Sequence, residues 1–426
     1  RMRIFSSLIL TLMVISIAIE GEELRAVNAT DILNEINYNQ SAEFNNCKIL
    51  DDLNLSTLII DGPVNFSNTS FLKSVNFDST RFMGLSSFEH AIFYNNASFV
   101  NTSFNGVANF NSAKFIKSTR FKDTSFNNRT TFKYSAFDGP AFFWGSKFEG
   151  YTEFSSSKFN DTVDFGFTRF DKDTTFWNSR FKGIVNFFRS QFNNKADFNN
   201  AAFVGISQKA AIKSNNFMDS TFKYYANFRN CTFKGDTTFR NIEFHQDADF
   251  EKSKFNGPVD FKDAMFNNAK FEEVVFDKEI DFRDSKFNCT SFNNSYFKDD
   301  ALFENAIFKE VLYLTRAKYD RIYIRWSSIS EEGKLGYDDT AYLLLIKNFK
   351  NLGFFQDAYD CYYQYRLDHL SKEVQLSDWR DVSLIFDYAA GYLYGWGVMP
   401  LFPLIWASIL IAIFFLVYYF LNLGMD

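Results

Sequence analysis

The sequence is poor in cysteine and shows no large excess of charge of either sign. Its 426 residues include four cysteines, at Cys47, Cys231, Cys289 and Cys361. None belongs to a CxxC pair or has a histidine nearby, which argues against a disulfide framework and a zinc site of the usual spacing. The net charge of -6 is small for this length and the signs are interleaved. Neither a basic nucleic-acid-binding surface nor a strongly acidic surface is therefore expected.

Histidine is also scarce, and the sequence gives no histidine a catalytic partner. The three histidines are His90, His245 and His369. No nucleophile or metal ligand stands at a meaningful spacing from any of them, and we expect His90 and His245 to be solvated surface residues.

Phenylalanine, in contrast, is abundant, with 57 residues in the chain. Phe110, Phe115, Phe121 and Phe126 are separated by steps of five, six and five residues, and this eleven-residue unit recurs along most of the sequence. A small or β-branched residue stands two positions before each centre, as Ala113 does before Phe115. Because side chains two apart in a strand point to the same side, each segment sends one large and one small side chain inward.

This repeat predicts a solenoid. Four segments close one coil of about 22 residues, and stacked coils bury together what no single coil can bury alone. We expect about twelve such coils over residues 40–320, with each Phe stacked on the Phe of the next coil. An insertion between Phe203 and Phe217, and six-residue steps shortened to five after Phe266 and after Phe287, interrupt the repeat. We predict only a slight change of twist at the shortened steps and assign no function to them.

The central Phe with a small residue two positions earlier resembles the pattern of the pentapeptide-repeat family. The resemblance covers residues 40–320 and implies a right-handed quadrilateral β-helix. The regular six-residue step is similar to the Phe-rich, eleven-residue branch of that family. Some members act as DNA mimics through an acidic rod, but this chain interleaves Lys and Arg with its acidic residues.

The N-terminal segment differs from the repeat. Residues 1–26 begin with Arg1 and Arg3, followed by an apolar run to Ile19. This is the anatomy of a signal peptide, and an uncleaved N-terminal anchor is the alternative. Residues 27–39 have apolar side chains at helical spacing and predict a helix that caps the first coil.

The C-terminal part predicts helices and a membrane span. Residues 321–397 comprise a capping segment, in which Ile322 to Trp326 close the stack, and a helical hairpin broken at Asn351–Gly353. A third helix is predicted over Ser377–Tyr394, followed by a hinge formed by residues 395–397 with Pro400 and Pro403. Val398–Leu423 has no charged residue and is longer than the about 20 apolar residues that cross a bilayer. We therefore predict a transmembrane helix there.

The segments YLLLIKNFKNLGFFQDAYDCYYQYR and YLYGWGVMPLFPLIW follow the repeat and precede this apolar stretch. Their order is similar to that of archaeal pentapeptide-repeat membrane proteins. Some of those relatives continue into a second span with a pore loop similar to that of potassium channels. The sequence contains no TVGYG-like filter.

Asn-x-Ser/Thr sequons favour an exported surface that carries N-linked glycans. The candidate glycosylation sites are Asn28, Asn39, Asn54, Asn65, Asn68, Asn96, Asn101, Asn128, Asn160, Asn230, Asn288 and Asn293.

No catalytic residue, cofactor or metal is predicted. Carboxylate pairs such as Asp247 with Asp249 and Glu272 with Glu273 arise from the repeat, and we expect the convex wall of a solenoid to offer no cleft around them. The sequence therefore favours a non-enzymatic, single-span cell-surface protein whose extracellular solenoid is a structural or interaction scaffold. Its partners would be the membrane, through Val398–Leu423, and an unidentified protein or envelope component, but not nucleic acid. The alternatives are an extracellular or regulatory domain of an ion-channel-like membrane protein and a carbohydrate-active enzyme on a β-helix.

Overall fold

The structure is a computed structural model that describes residues 24–39, 42–205, 214–376 and 382–423. It is a parallel β-solenoid of about 14 turns, followed by a small helical region and one apolar C-terminal helix. The predicted solenoid fold is therefore confirmed. The chain divides into two compact units, residues 1–183 and 184–426, which are described in turn. The predicted signal peptide or anchor lies outside the described residues as far as residue 23.

Each turn of the first unit has four short strands, one on each side of a square. In one turn, Ala108–Asn109 lies on side 1, Lys114–Phe115 on side 2, Thr119–Arg120 on side 3 and Ser125–Phe126 on side 4. Every strand pairs in parallel with the equivalent strand one turn away, as Ala108 pairs with Thr130. The hydrogen bonds of the backbone thus run between turns, and the side chains alternate between the interior and the surface.

The strands of the first unit fall into four rows. Side 1 contains Ala42–Glu43, Val64–Asn65, Ser86–Ser87, Ala108–Asn109, Thr130–Thr131, Thr152–Glu153 and Thr174–Thr175. Side 2 contains Arg25–Val27, Cys47–Ile49, Ser70–Phe71, Ile92–Phe93, Lys114–Phe115, Ala136–Phe137, Lys158–Phe159 and Arg180–Phe181. Side 3 contains Leu53–Asn54, Val75–Asn76, Ala97–Ser98, Thr119–Arg120, Ala141–Phe142 and Val163–Asp164. Side 4 contains Ile59–Ile60, Arg81–Phe82, Ser103–Phe104, Ser125–Phe126, Lys147–Phe148 and Arg169–Phe170.

Phenylalanine rings fill the interior, as predicted. Phe110 is fully buried and lies parallel to Phe132 of the next turn, with ring centroids 4.7 Å apart and planes 4° apart. It also meets Phe121, on side 3, edge to face at 5.5 Å and 83°. Both centroid distances lie within the range in which aromatic rings attract one another. The edge-to-face contacts across the coil were not predicted.

The small residues that precede each Phe also have a hydrogen-bonding role. Thr124 is fully buried, and its Oγ1 donates to the carbonyl oxygen of Phe99 in the preceding turn at 2.6 Å. The hydroxyl is thereby satisfied inside an apolar core, where an unpaired polar group is costly. Two of the four corners need a residue in the left-handed backbone region, as at Ser112 (φ 55°) and Asp123 (φ 56°). Asn and Asp tolerate this region better than most residues, which accounts for part of their abundance in the repeat.

The second unit continues the same four-sided pattern within itself. Side 1 has Ala196–Asp197, Ala226–Asn227 and Val311–Tyr313, and Lys334–Leu335 pairs with Val311–Tyr313. Side 4 has Gln191–Phe192, Thr221–Phe222 and Ile307–Phe308. Side 2 has Ala202–Phe203, Thr232–Phe233, Lys254–Phe255, Val275–Phe276 and Tyr296–Phe297. Side 3 has Val185–Asn186, Asn215–Asn216, Thr237–Thr238, Val259–Asp260, Ile280–Asp281, Ala301–Leu302 and Ile322–Tyr323. Three longer strands, Glu243–Asp249, Met265–Lys270 and Lys286–Ser291, run from side 4 into side 1 without a break.

The number of turns exceeds the expected twelve because strands without a Phe centre extend both ends. Arg25–Val27 pairs with Cys47–Ile49, and Lys334–Leu335 pairs with Val311–Leu312. These strands pair through their backbones, so the spacing of Phe residues could not indicate them. Between Arg25–Val27 and the next strand, helix α1 spans Ala29–Asn39, where the sequence predicts a capping helix.

Helices follow the last turn. They are α2 (Trp326–Ser330), α3 (Asp339–Asn351), α4 (Phe355–Leu376), α5 (Val382–Tyr394) and α6 (Leu401–Leu423), with a 3-10 turn at Gly395–Gly397 between α5 and α6. Helices α3 and α4 form the predicted hairpin, and Gly353 between them has a left-handed backbone (φ 78°). The predicted third helix is present from Val382, and residues 377–381 lie outside the described residues.

Helix α3 closes the last turn through one amide side chain. Asn348 is buried; its Oδ1 accepts from the backbone N–H of Ile322 at 3.1 Å, and its Nδ2 donates to the carbonyl oxygen of Ile322 at 2.9 Å. A second buried contact joins α4 to the same region, because Asp357 Oδ1 accepts from the N–H of Trp326 at 2.7 Å and its carboxylate pairs with Arg325. The side chain of Asn348 therefore takes the place of the next strand at the end of side 3.

Helix α6 begins three residues after the predicted start of the span. Pro403 lies in its first turn, where a missing N–H costs nothing because the first four N–H groups have no partner within the helix. Leu401–Phe420 is the stretch long and apolar enough to cross a membrane, and its side chains lie on the surface of the described structure.

Candidate functional site

The second unit has a groove where the corner between sides 4 and 1 is missing. Each six-residue step that shortens to five removes one corner residue, so that Met265–Lys270 and Lys286–Ser291 pair along their whole length. The groove has a volume of about 540 Å³. Its lining residues are Asp247, Asn268, Ala269, Lys270, Glu272, Cys289, Ser291, Asn293, Glu310 and Tyr313.

Polar contacts arrange the walls of this groove. Asn268 Nδ2 donates to Asp247 Oδ1 at 2.8 Å, and Ser291 Oγ donates to Glu272 Oε1 at 2.8 Å. Each pair joins neighbouring turns, and each carboxylate keeps a second oxygen that can accept from a ligand. Tyr313 is 38% exposed and adds an aromatic face to the polar lining. A recess with several convergent polar groups and one ring suits a small polar molecule or a segment of a polymer.

The expectation that the solenoid wall has no cleft is wrong at this groove. The sequence analysis treated Asp247 and Glu272 as incidental members of surface pairs. Their neighbours differ in the structure: Asp249 is buried beside Tyr225 and Arg229, and Glu273 lies outside the groove lining. The signal that could have located the groove is the loss of two corner residues in successive turns, which joins two sides of the square into one longer surface.

Cys289 is the one cysteine of the four that is not buried. It lies in the groove lining, and partial burial together with the charges of Glu310 and Asp247 raises its pKa above that of a free thiol. A raised pKa lowers the thiolate fraction at neutral pH, and the thiolate is the nucleophilic form. We find no group of three or more His, Cys, Asp or Glu side chains arranged to hold a metal ion in the described part of the chain.

We expect Glu310→Gln to speed the alkylation of Cys289 by iodoacetamide. Removing the nearby negative charge lowers the pKa of the thiol, so more thiolate is present at a given pH. The pH at which the labelling rate is half-maximal should therefore be lower. Mass spectrometry of the labelled peptide measures this rate. Lys309→Gln is the adjacent control, since Lys309 is not part of the groove lining. An unchanged pH profile for Glu310→Gln would contradict the electrostatic description of the groove.

A second recess lies beside the start of α6. It has a volume of about 330 Å³ and an aromatic lining. Trp396 has a left-handed backbone (φ 50°), and its Nε1 donates to Asp387 Oδ1 at 2.9 Å, while Arg366 pairs with the same carboxylate. This carboxylate therefore contacts a non-glycine residue in an unfavourable backbone region, and residues 395–397 of the predicted hinge form a 3-10 turn.

Most candidate glycosylation sites lie on the surface. Eight of the asparagines are exposed: Asn28, Asn54, Asn68, Asn96, Asn101, Asn128, Asn160 and Asn230. Asn65, Asn288 and Asn293 are half-buried, and the side chain of Asn39 lies outside the described set. Asn68, Asn101 and Asn230 occupy left-handed corner positions, where their side chains point away from the core. His90 and His245 are exposed, as predicted. Glycan attachment at these sites stays a prediction.

The family comparison agrees with this architecture. The family model for pentapeptide repeats (9 copies) matches residues 59–103, 99–147, 217–265 and 239–286. Residues 59–147 and 217–286 therefore contain pentapeptide repeats. The matched segments include strands of all four sides in both units and the first two of the three long strands. No curated protein and no solved structure matches the chain. The match covers part of the solenoid, and strands with the same four-sided pattern also lie outside the matched residues.

Proposed function

We propose that the protein is a non-enzymatic scaffold, anchored in a membrane by α6, whose solenoid is displayed on the outer surface of the cell. The observation that carries the proposal is the exposed apolar stretch Leu401–Phe420, which follows a β-solenoid whose outward positions are largely polar. Burying such a helix in a bilayer removes its apolar surface from water. The stacked rings inside the solenoid hold its outer side chains in a fixed array, which suits contact with envelope components.

The groove between sides 4 and 1 supports the interaction part of this role. Its polar lining is held by contacts between turns, and it is open to solvent. Its side chains offer hydrogen-bond acceptors and one aromatic ring rather than an activated nucleophile, because the pKa of the Cys289 thiol is raised. The glycosylation candidates on exposed corners fit the same placement outside the cell.

The membrane topology can be tested in intact cells. A protease site introduced between Val204 and Asn216 should be cleaved by external protease, and an epitope tag added after Asp426 should be protected. The full chain should resist extraction from membranes by alkaline carbonate. Ile411→Lys with Phe415→Lys should release it, because each charge at the centre of a span costs about 2.5–3.5 kcal/mol on an insertion scale. Cleavage of the tag together with protection of the inserted site would reverse the proposed orientation.

A further inference from the structure

The charged side chains that point outward on side 2 of the first unit are almost all cationic. From Cys47 onward, the outward positions of this side are the residues directly before and after each inward centre. They include five cations, Lys48, Lys114, Lys158, Arg180 and Lys182, and one acid, Asp138. Their sum is +5 − 1 = +4, although the whole chain carries -6. Positive charge is thus concentrated on one side of an acidic protein, although the composition predicts no charged surface.

The single acid of this side is already engaged. Asp138 Oδ1 accepts from Asn160 Nδ2 at 2.7 Å, and Asp138 Oδ2 lies 3.5 Å from Lys114 Nζ. Within the part of the chain that the structure describes, Lys158, Arg180 and Lys182 have no carboxylate within 4.0 Å. All three side chains are exposed. We call these three residues the cationic cluster.

The β-ladder fixes the spacing of the cationic cluster. Lys158 and Arg180 are direct partners in neighbouring parallel strands, about 4.8 Å apart. Arg180 and Lys182 flank the inward-facing Phe181 and so point to the same side, about 7 Å apart. Three like charges at these distances repel one another, and a bound anion would reduce this repulsion. Asn160, which lies beside Lys182, adds an amide for hydrogen bonds.

We propose that the cationic cluster binds a carboxylate-bearing polysaccharide, of the uronate type, along side 2. Such a chain offers one carboxylate after another, which matches cations repeated from turn to turn, and the planar fork of Arg180 can take a carboxylate with two hydrogen bonds. Its hydroxyl groups can pair with the amide of Asn160. The proposal names a class of partner for the scaffold. It rests on the proposed function in one respect: the solenoid must lie outside the cell to meet such a polymer.

Other polyanions fit this surface less well. Single-stranded nucleic acid is usually held by several aromatic rings on which successive bases stack. The residues that flank the cationic cluster on side 2 are Ala136, Asp138 and Asn160, and the exposed ring nearest to Arg180 in sequence, Trp177, lies at the neighbouring corner. A flat anionic bilayer would also face the exposed acid Asp161 at the neighbouring corner. A single polysaccharide chain is narrow enough to follow side 2 alone.

The proposed site requires that Asn160 carries no glycan, because a glycan there would cover the cationic cluster. The test therefore uses the full chain in a nonionic detergent, produced without N-glycosylation. Binding to polygalacturonate is measured by calorimetry at several salt concentrations. The variant Lys158→Gln/Arg180→Gln/Lys182→Gln should bind about 100-fold more weakly, since each cation that faces a polyanion contributes about five-fold. The slope of log K against log salt should fall by about 2. These cations are exposed, so the melting temperature should not change.

The matched control removes the same charge from side 4 of the same unit. Arg81→Gln/Lys147→Gln/Arg169→Gln should retain polygalacturonate binding, because these cations face another direction. If both variants bound polygalacturonate equally weakly, the affinity would depend only on net charge, and this result would contradict a binding site at the cationic cluster. Equal or tighter binding of poly(dT), or of vesicles containing phosphatidylserine, would overturn the polysaccharide assignment. No binding of polygalacturonate would overturn the proposal and leave the topology test of the scaffold unaffected.

Discussion

Phe121→Ala is expected to lower the free energy of unfolding by about 3–5 kcal/mol. The side chain of Phe121 is fully buried and stacks between Phe99 at 4.6 Å and Phe143 at 4.9 Å. It also meets Phe110 and Phe132 edge to face, each at 5.5 Å. The strands above and below are fixed by backbone hydrogen bonds, so the surrounding structure cannot collapse into the cavity.

The same substitution at an exposed ring is the control for this prediction. Phe167 is 42% exposed at a corner of the same unit, and its ring contacts Trp144. We expect Phe167→Ala to cost less than about 1 kcal/mol, because it leaves no internal cavity. Urea unfolding followed by circular dichroism gives both values, and hydrogen exchange shows whether the loss is confined to neighbouring turns. Equal costs for the two variants would contradict a core stabilised by stacked rings.

Asn348→Leu is expected to cost about 2–6 kcal/mol, because it leaves two buried backbone groups without partners at about 1–3 kcal/mol each. Leu has the same number of side-chain heavy atoms as Asn and the same branching at Cγ, so the substitution creates no cavity and removes the hydrogen bonds to Ile322. The affected groups are the N–H and the carbonyl oxygen of Ile322, which Asn348 pairs at 3.1 and 2.9 Å.

Helix α3 provides a matched control for this variant. Asn351 lies at the end of the same helix and is exposed. Asn351→Leu should change the free energy of unfolding by less than about 0.5 kcal/mol. Hydrogen exchange distinguishes the mechanism: the amide of Ile322 should be protected in the parent protein and in Asn351→Leu, but should exchange rapidly in Asn348→Leu. Retained protection in Asn348→Leu would show that the helix does not close the solenoid through this amide.

The repeat could be predicted from sequence because its information is local. A turn needs one large and one small inward side chain on each side, and both are visible within five or six residues, as in Ala113 and Phe115. Buried rings then stack wherever the same pattern returns one turn later. The helical hairpin was equally visible, since Tyr342, Leu345 and Phe349 recur at helical spacing and are buried. Such periodic patterns need no knowledge of distant contacts.

The groove and the closure of the last turn could not be predicted in the same way. The groove forms because two successive turns each lack a residue at the same corner. The two strands can then pair through this corner, as Asn268 pairs with Cys289. Asn348 and Ile322 are 26 residues apart, and nothing in either sequence segment indicates their pairing. The strands at Arg25–Val27 and Lys334–Leu335 lack the Phe centre, and only their backbone pairing adds them to the solenoid.

The sequence by itself determined the four-sided solenoid, its stacked interior, the helical region and the apolar C-terminal helix, because each follows from a spacing repeated along the chain. Only the tertiary structure decided where outward side chains meet. It placed Asp247 and Glu272 in one groove, and it placed Lys158 beside Arg180. These residues are neighbours across turns rather than along the chain. Which outward side chains become neighbours in a solenoid depends on the register between turns. The inward-facing residues determine this register, but the contacts between outward side chains become visible only in the folded structure.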